Sequence, residues 1–435
     1  MSNRTTVLAA ALFAAACAST PPSPPSPVAT PAAEGPAFTL RPVSFAALPG
    51  WSDGDPAAAL AAFRRSCAAQ SRRDDAMPLG RAAPYGGRVG DWRSVCAEAA
   101  GAADARAFFE RNFTPHEVVA RADQMRRLTG YYEPVVEARR TAQPGFDEPF
   151  LARPADVVGI DLSAFDDAAD IVGTITEDVM KALAPVLPDA VEAEAAAALD
   201  ERLTRRFRTP IWGRVTPDRR VTPLPARAQI DRSAGVLGYA RACDVYDVQV
   251  QGSARVRFED GQSMRMAYAA QNGWRWTSIY PQVRDLGAAS ATKEGVCAYF
   301  AGQTPEGVRA AMNLDPSYVF FSLEPIGDPA AGPRGAQGVP LTPMGSIAVD
   351  PAAHPYGAVL WVDAENGLRR LLVAQDTGGA IRRGPLRGDV FFGTGPEAGA
   401  AATQQNAPAR FWTLLPNGLG AQQIAMYDAP RQPLP

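Results

Sequence analysis

The sequence predicts a mainly β protein that contains a β-barrel and begins with helices, and three observations carry this prediction. Short strand patterns and turns make up nearly all of the chain after Pro210. The C-terminal third continues this style with many Gly and Pro residues, which is typical of a barrel and not of a helical bundle. Helical spacing of apolar residues is found at 55–72, 91–111 and 165–208.

The N-terminal residues predict a secretory signal. A basic residue and an apolar run fill residues 1–16, and small residues lead into Cys17. The segment Ala14-Ala15-Ala16-Cys17 resembles a lipobox, with Ala14 where leucine is usual; the alternative is ordinary cleavage around Cys17. Residues 17–36 are rich in Pro and Ser and predict an extended tether. We therefore expect a periplasmic lipoprotein anchored through Cys17, and Ala18 in place of an aspartate favours the outer membrane.

The helical stretches have recognisable beginnings. Asp55-Pro56 starts the first, and Gly90-Asp91 starts the second. The third, at 165–208, is acidic and rich in alanine, and we assign it no task.

Four cysteines follow Cys17, namely Cys67, Cys96, Cys243 and Cys297. An even number in an exported chain predicts disulfide bonds. Cys67 and Cys96 lie on neighbouring helical patterns, so we pair them with each other. Cys243 and Cys297 are either a second bonded pair or two small buried apolar residues.

The strand patterns begin at Leu128. Leu128 to Pro134 predicts a strand with a glycine break, and Val135 to Ala138 continues it with alternating character. Further along, Asp247 to Phe258 and Ser263 to Tyr268 flank the turn at 259–261 and predict a β-hairpin.

The composition excludes several functions. Lys and Arg number 43 against 46 Asp and Glu, without a basic run, so a nucleic acid is not an expected partner and a glycan suits the near-neutral charge. The two histidines, His116 and His354, are far apart and have no neighbouring ligand pattern. Neither zinc chemistry nor a Ser-His or Cys-His nucleophile is therefore predicted. The sequence implies no metal or organic cofactor.

Three aspartates in the segment 349–395 are candidates for chemistry: Asp350, Asp376 and Asp389. We expect Gly378 and Gly379 to let the backbone turn sharply after Asp376, which leaves its carboxyl at an open edge near a bulky ligand. The alternative is that each aspartate caps its own turn. The residues alone favour that alternative for Asp350 and Asp389 and leave Asp376 open.

Ordered blocks across residues 125–415 resemble the membrane-bound lytic murein transglycosylase A family. The blocks are Gly130-Tyr131-Tyr132-Glu133-Pro134, Gln249-Val250-Gln251-Gly252-Ser253, Tyr268-Ala269-Ala270-Gln271-Asn272-Gly273, Met312 to Phe321, and Gln375-Asp376-Thr377-Gly378-Gly379-Ala380-Ile381 with Gly388-Asp389-Val390-Phe391 and Gly393-Thr394-Gly395. Ala254 stands where the family commonly has glycine, and the stretch 165–208 is longer than the family pattern.

The resemblance implies a double-psi β-barrel interrupted by an inserted β-rich domain, with a glycan groove between them. Residues 37–135 would hold the N-terminal helices and the first part of the barrel, 136–274 the insert, and 275–435 the rest of the barrel. The implied reaction is cleavage of the β-1,4 bond between N-acetylmuramic acid and N-acetylglucosamine in peptidoglycan, leaving a 1,6-anhydro end.

The same resemblance makes Asp376 the catalytic acid. One carboxylate suffices because the C6 hydroxyl of the substrate replaces water as the attacking group. Asp376 would act first as acid and then as base, and it must begin protonated, which the flanking Val373 and Ile381 favour. Further candidates for binding the substrate or shaping the site are Asp350, Asp389, Thr377, Gly378, Gly379, Tyr131, Tyr132, Glu133, Gln251, Ser253, Tyr268 and Asn272.

Two tryptophans, Trp274 and Trp276, follow the motif block at 268–273. Trp274 and Trp276 would face one side of a strand, and we favour barrel core over sugar contact for both.

Two other functions deserve comparison. Asp376-Thr377-Gly378 is the signature of aspartic proteases, but those need two carboxylates and the chain has no second copy. A double-psi barrel can also bind cell-wall glycans without cutting them. The expected partners are peptidoglycan glycan strands and, beyond them, proteins of cell-wall synthesis or hydrolysis.

Overall fold

The computed structural model describes residues 38–80, 83–122, 124–160, 211–218, 220–381 and 384–419. The predicted signal, Cys17, the tether and the helical stretch 165–208 lie outside these residues. No described helix is both long enough and apolar enough to cross a membrane.

The described residues form eighteen strands and eight α-helices. The strands are β1 (Phe38–Pro42), β2 (Phe113–Ala120), β3 (Arg127–Glu133), β4 (Val135–Ala138), β5 (Glu148–Leu151), β6 (Val157–Ile160), β7 (Ile211–Val215), β8 (Val221–Thr222), β9 (Val236–Ala240), β10 (Ala254–Phe258), β11 (Ser263–Gln271), β12 (Val319–Pro325), β13 (Ser346–Val349), β14 (Val359–Ala364), β15 (Arg369–Asp376), β16 (Arg387–Thr394), β17 (Asn406–Ala407) and β18 (Ala409–Pro416). The helices are α1 (Ala57–Gln70), α2 (Arg93–Gly101), α3 (Ala105–Asn112), α4 (Ala242–Gln251), α5 (Ile279–Asp285), α6 (Lys293–Ala301), α7 (Pro305–Met312) and α8 (Pro396–Gln404).

The largest sheet has nine strands in the order β1-β2-β18-β14-β15-β13-β16-β3-β17. Strand β13 runs parallel to β15 and antiparallel to β16, and β16 runs parallel to β3. Strand β3 thus joins the C-terminal strands although it is far from them in sequence. Packing explains the glycine at position 130 of this strand, since a Cβ there would lie 2.9 Å from the backbone of Ala402 in α8.

The N-terminal helices pack against this sheet through a buried aromatic cluster, whose members are Phe63, Trp92, Phe108, Phe109 and Phe113. A disulfide joins Cys67 of α1 to Cys96 of α2, so the predicted pairing is confirmed.

The stretch 91–111, predicted as one helix, is two. Helix α2 ends at Gly101 and α3 begins at Ala105. The break occurs because the Asp104 side chain accepts a hydrogen bond from Ala107 N at 3.0 Å and caps a new helix.

A second sheet has the order β12-β11-β10-β4, and smaller sheets pair β5 with β9 and join β6, β7 and β8. The predicted hairpin is present as β10 and β11, with Gly261 at φ 82° in its turn. The predicted start of its first strand at Asp247 is wrong, because α4 continues to Gln251.

Tertiary packing explains this helix. Val245 and Val248 are buried against the second sheet, while Tyr246 is buried among α5, α6 and α7. A helix buried on two sides lacks a clean amphipathic pattern, so its sequence resembles a strand.

The expectation of nearly continuous strands after Pro210 is also wrong, since α4 to α8 all follow it. Cys243 of α4 is bonded to Cys297 of α6, which decides between the two alternatives for this pair.

Candidate active site

Asp376 is the last residue of β15, at the point where the strand leaves the nine-stranded sheet. Gln375 and residues 371–374 before it are buried, whereas Asp376 stays partly accessible because the strand ends there. Strand β13 lies between β15 and β16, and its Ala348 pairs with Asp376 on one side and with Asp389 on the other. The fold thereby brings two of the three aspartates to one place.

Both carboxylate oxygens of Asp376 accept hydrogen bonds. The Tyr131 hydroxyl donates to Oδ2 at 2.8 Å, and the Ala336 N–H donates to Oδ1 at 2.9 Å. Burial, together with the negative charges of Asp376 and Asp389, raises the pKa of Tyr131 well above its usual value. Tyr131 is therefore a permanent donor to Asp376 at neutral pH.

Asp389 lies beside this pair on β16. Its Oδ1 accepts a hydrogen bond from the Thr129 hydroxyl at 2.6 Å, and Arg387 donates to the same hydroxyl at 2.8 Å. Burial raises the pKa of Asp389 to about 6; Arg387 and Thr129 oppose this, and the charge of Asp376 adds to it. Asp389 is thus ionised only above mildly acidic pH.

The Asp389→Asn variant tests this pKa. An acid whose pKa is raised in the folded state keeps its proton after the unfolded chain has lost it, so the free energy of unfolding falls as pH rises from about 4 to about 6. We expect Asp389→Asn to be more stable than wild type at pH 7.5 and equally stable at pH 4. The gain is at most about 3 kcal/mol, because part of the residue is accessible.

Unfolding curves measured across this pH range check the expectation. A stability difference that stays constant with pH would contradict it.

Asp350 has a different position from the other two aspartates. Its Oδ1 accepts from Ala352 N at 2.9 Å, and its Oδ2 accepts from Gly384 N at 3.1 Å. Asp350 therefore caps its own turn, as the turn-capping alternative predicts. It also connects that turn to the loop after Asp376.

The glycines after Asp376 do not play the predicted conformational role. Neither Gly378 nor Gly379 has a positive φ, and a Cβ at either would make ordinary contacts at 3.6 and 3.7 Å. The predicted turn is present, since the Ile381 N–H donates to Gly378 O at 3.0 Å, but its backbone does not require glycine, and Gly379 within it is exposed. The neighbouring Thr377 hydroxyl is buried and has no hydrogen-bond partner within the described part of the chain.

Three candidates from the upstream blocks, Tyr132, Gln251 and Glu133, have hydrogen-bond or ion-pair partners other than Asp376. The Tyr132 hydroxyl donates to Asp247 at 3.0 Å, and Lys293 donates to the same carboxylate at 2.6 Å. Gln251 accepts from Tyr132 N at 3.2 Å. Glu133 is fully buried between Arg255 and Arg265.

Other candidates are engaged elsewhere. The Asn272 amide donates to Pro225 O and Pro316 O and accepts from Tyr318 N, so it braces the main chain and has no capacity left for a sugar. Ser253 is buried beside the end of α4, and Tyr268 lies 46% exposed on β11.

The tryptophans are not on a strand, because β11 ends at Gln271. Trp274 is 38% exposed and donates to Leu224 O at 2.8 Å, which contradicts a place in the barrel core. A Cβ at Gly379 would lie 3.7 Å from the Trp276 Cβ, so Trp276 borders the loop after Asp376.

Sequence reasoning missed the turn at 335–338, which supplies the Ala336 N–H. A main-chain donor has no side-chain signature, and the signal available was Gly335 and Gly338 around it. A Cβ at Gly335 would lie 2.5 Å from Gln375 O, so this glycine lets the turn approach β15.

Two family profiles match the chain. The MltA specific insert domain matches residues 127–322, and the 3D domain matches residues 345–415.

Similar proteins agree with these matches. The membrane-bound lytic murein transglycosylase A of Vibrio cholerae is 31% identical over 231 residues, which are 48% of this chain and 60% of that protein. The protein of that name from Escherichia coli K12 is 32% identical over 237 residues, which are 50% of this chain and 62% of that protein. Each match spans less than two thirds of the curated relative.

A crystal structure of a membrane-bound lytic murein transglycosylase from Agrobacterium tumefaciens superposes with a TM-score of 0.67 and 27% identity, covering 89% of this chain and 100% of that one. The predicted mainly β, double-psi barrel fold is confirmed by this likeness.

Proposed function

This chain belongs to the membrane-bound lytic murein transglycosylase A family, and from that membership we propose that it cleaves the glycan strands of peptidoglycan without water. The bond broken is the β-1,4 bond between N-acetylmuramic acid and N-acetylglucosamine, and the product has a 1,6-anhydro end.

The observation that carries this proposal is the setting of Asp376. It is a partly accessible carboxylate at a strand end, with each oxygen held by a separate donor, Tyr131 and Ala336, and with a second carboxylate, Asp389, beside it. A group held in one orientation at an open edge suits proton transfer to a bound glycan.

In the proposed reaction Asp376 donates its proton to the glycosidic oxygen as the bond from that oxygen to C1 breaks. The C6 hydroxyl of the same muramic acid residue then bonds to C1, and its proton passes to the Asp376 carboxylate. No water is consumed, and the enzyme ends as it began.

The neighbours of Asp376 suit both halves of this cycle. Repulsion from ionised Asp389 favours the protonated acid before transfer. The hydrogen bonds from Tyr131 and Ala336 stabilise the carboxylate that forms afterwards. A group that must donate and then accept a proton needs such opposing influences.

The test is digestion of purified peptidoglycan sacculi, followed by mass spectrometry of the released fragments. We expect muropeptides with 1,6-anhydro ends. Binding to sacculi without release of any fragment would overturn the proposal in favour of a binding module.

The Tyr131→Phe variant tests the donor to Asp376. Loss of a hydrogen bond to a charged group is expected to lower kcat by about 10- to 100-fold with little change in KM. The Tyr131 hydroxyl stabilises the ionised form of Asp376, so its loss favours the protonated acid. The fall in activity at alkaline pH should therefore move to higher pH. Tyr299→Phe, in the cluster of helices, is the matched control and should match wild type; an unshifted pH profile for Tyr131→Phe would contradict the role.

We further propose that the enzyme works in the periplasm, anchored to the outer membrane through acylated Cys17. This placement rests on the lipobox-like segment at 14–17. Metabolic labelling with a fatty acid should mark the wild type and not Cys17→Ala, and a label retained in that variant would contradict the anchor.

A further inference from the structure

A buried polar network connects α1 to the end of β15. Gln375 Nε2 donates to Ala62 O and to the Ser66 hydroxyl, each at 2.8 Å. Its Oε1 accepts from the Ser346 hydroxyl at 2.5 Å. Ser66, Ser346 and Gln375 are fully buried, so each hydrogen bond is shielded from water.

The same network holds the turn at 335–338. The Ser66 hydroxyl donates to Gln337 Oε1 at 2.8 Å, and Gln337 N donates to Gln375 O at 3.0 Å. Within the turn, Gly338 N donates to Gly335 O at 2.8 Å. Ser66 of α1 thus holds the side chain of Gln337, and Gln375, the strand residue before Asp376, holds its main chain.

The turn delivers a donor to Asp376. Ala336 precedes Gln337 and donates its N–H to Asp376 Oδ1 at 2.9 Å. The Ala336 side chain is exposed, so the position of its N–H depends on how the neighbouring residues of the turn are held.

We propose that Ser66, Gln337 and Gln375 are positioning residues for the reaction, which hold the 335–338 turn so that the Ala336 N–H orients the Asp376 carboxylate. This inference rests on the proposed function for its catalytic meaning. Helix α1 and the turn lie outside both matched ranges, 127–322 and 345–415, so neither family profile assigns them a role. The disulfide from Cys67 to α2 immobilises α1 at the residue next to Ser66.

The two variants that test the network are Ser66→Ala and Gln337→Ala. The first removes the hydroxyl that links Gln375 to Gln337, and the second removes the half-buried Gln337 side chain. If one variant does not fold, the other still tests the network. Ser71→Ala is the matched control, since Ser71 is an exposed serine at the end of α1 whose hydroxyl, within the described part of the chain, bonds only Ala68 O at 2.8 Å.

The main measurement is the pH titration of the Asp376 carboxyl by its carbon-13 chemical shift, assigned by comparison with Asp376→Asn. Loss of the Ala336 donor should move the midpoint to higher pH in both network variants and leave Ser71→Ala unchanged. In the sacculus assay we expect kcat to fall about tenfold with KM unchanged, because a misplaced catalytic group loses rate and not binding.

A purely structural network would lower the melting temperature of Ser66→Ala and Gln337→Ala without moving the Asp376 titration or kcat, and that result would overturn the inference. If the wild type released no anhydro product, the proposed function would fail, while the titration would still decide whether the network orients Asp376.

Discussion

Replacing Asp376 by asparagine is expected to lower kcat on peptidoglycan by about 10³-fold or more, because asparagine keeps the shape of the side chain and can neither give nor take the proton. The Ala336 N–H can still donate to the amide oxygen, and the fold should persist. Turnover of sacculi, followed by release of soluble muropeptides, measures the effect.

The matched control is Asp363→Asn on β14. Asp363 is a strand aspartate paired with Arg369 and Arg410 at the surface, outside the proposed site. We expect it to retain wild-type activity. An Asp376→Asn enzyme that kept a tenth of the wild-type rate would contradict the assignment of Asp376 as the acid.

The Glu133→Ala variant should lose about 3–5 kcal/mol of the free energy of unfolding. Glu133 has no exposed side-chain surface and accepts from Arg255 at 2.9 Å and from Arg265 at 2.7 Å. Thr394 donates to it as well, at 2.8 Å. Its removal leaves two largely buried guanidinium groups without their counter-charge.

This ion pair also joins the two sheets, since Glu133 ends β3 whereas Arg255 and Arg265 belong to β10 and β11. Both arginines further donate to Ala331 O, a few residues before the turn that holds Asp376. Loss of Glu133 should therefore loosen the site as well as the fold.

Denaturant unfolding measures the stability effect. Glu137→Ala is the control, because Glu137 is an exposed glutamate on β4 that lies 3.7 Å from Arg139 and should change stability by less than about 0.5 kcal/mol. A Glu133→Ala variant as stable as this control would contradict the account of the buried pair.

Parts of the second sheet and of the site could be predicted from the sequence because local patterns coincide with tertiary structure there. The alternating residues of β4 and the hairpin of β10 and β11 follow the period of a half-buried strand. Asp376, Asp389 and Tyr131, drawn from separate motif blocks, do meet through the pairing of β3, β16, β13 and β15.

What sequence could not predict depends on contacts with distant parts of the chain. Residues 247–251 of α4 have a strand-like pattern because the helix is buried on two sides by elements far along the sequence. Asn272, a plausible ligand for a sugar, has its amide occupied by main-chain groups at Pro225 and Pro316. The Ala336 donor has no side-chain pattern at all, and its position depends on Ser66, some 270 residues earlier.

The most direct test of the proposed non-hydrolytic cleavage is digestion of sacculi in water enriched in oxygen-18, with mass spectrometry of the products. If the C6 hydroxyl attacks, wild-type products carry anhydro ends and contain no heavy oxygen. Heavy oxygen at reducing ends would show that water attacks instead, and the proposed reaction of Asp376 would be wrong.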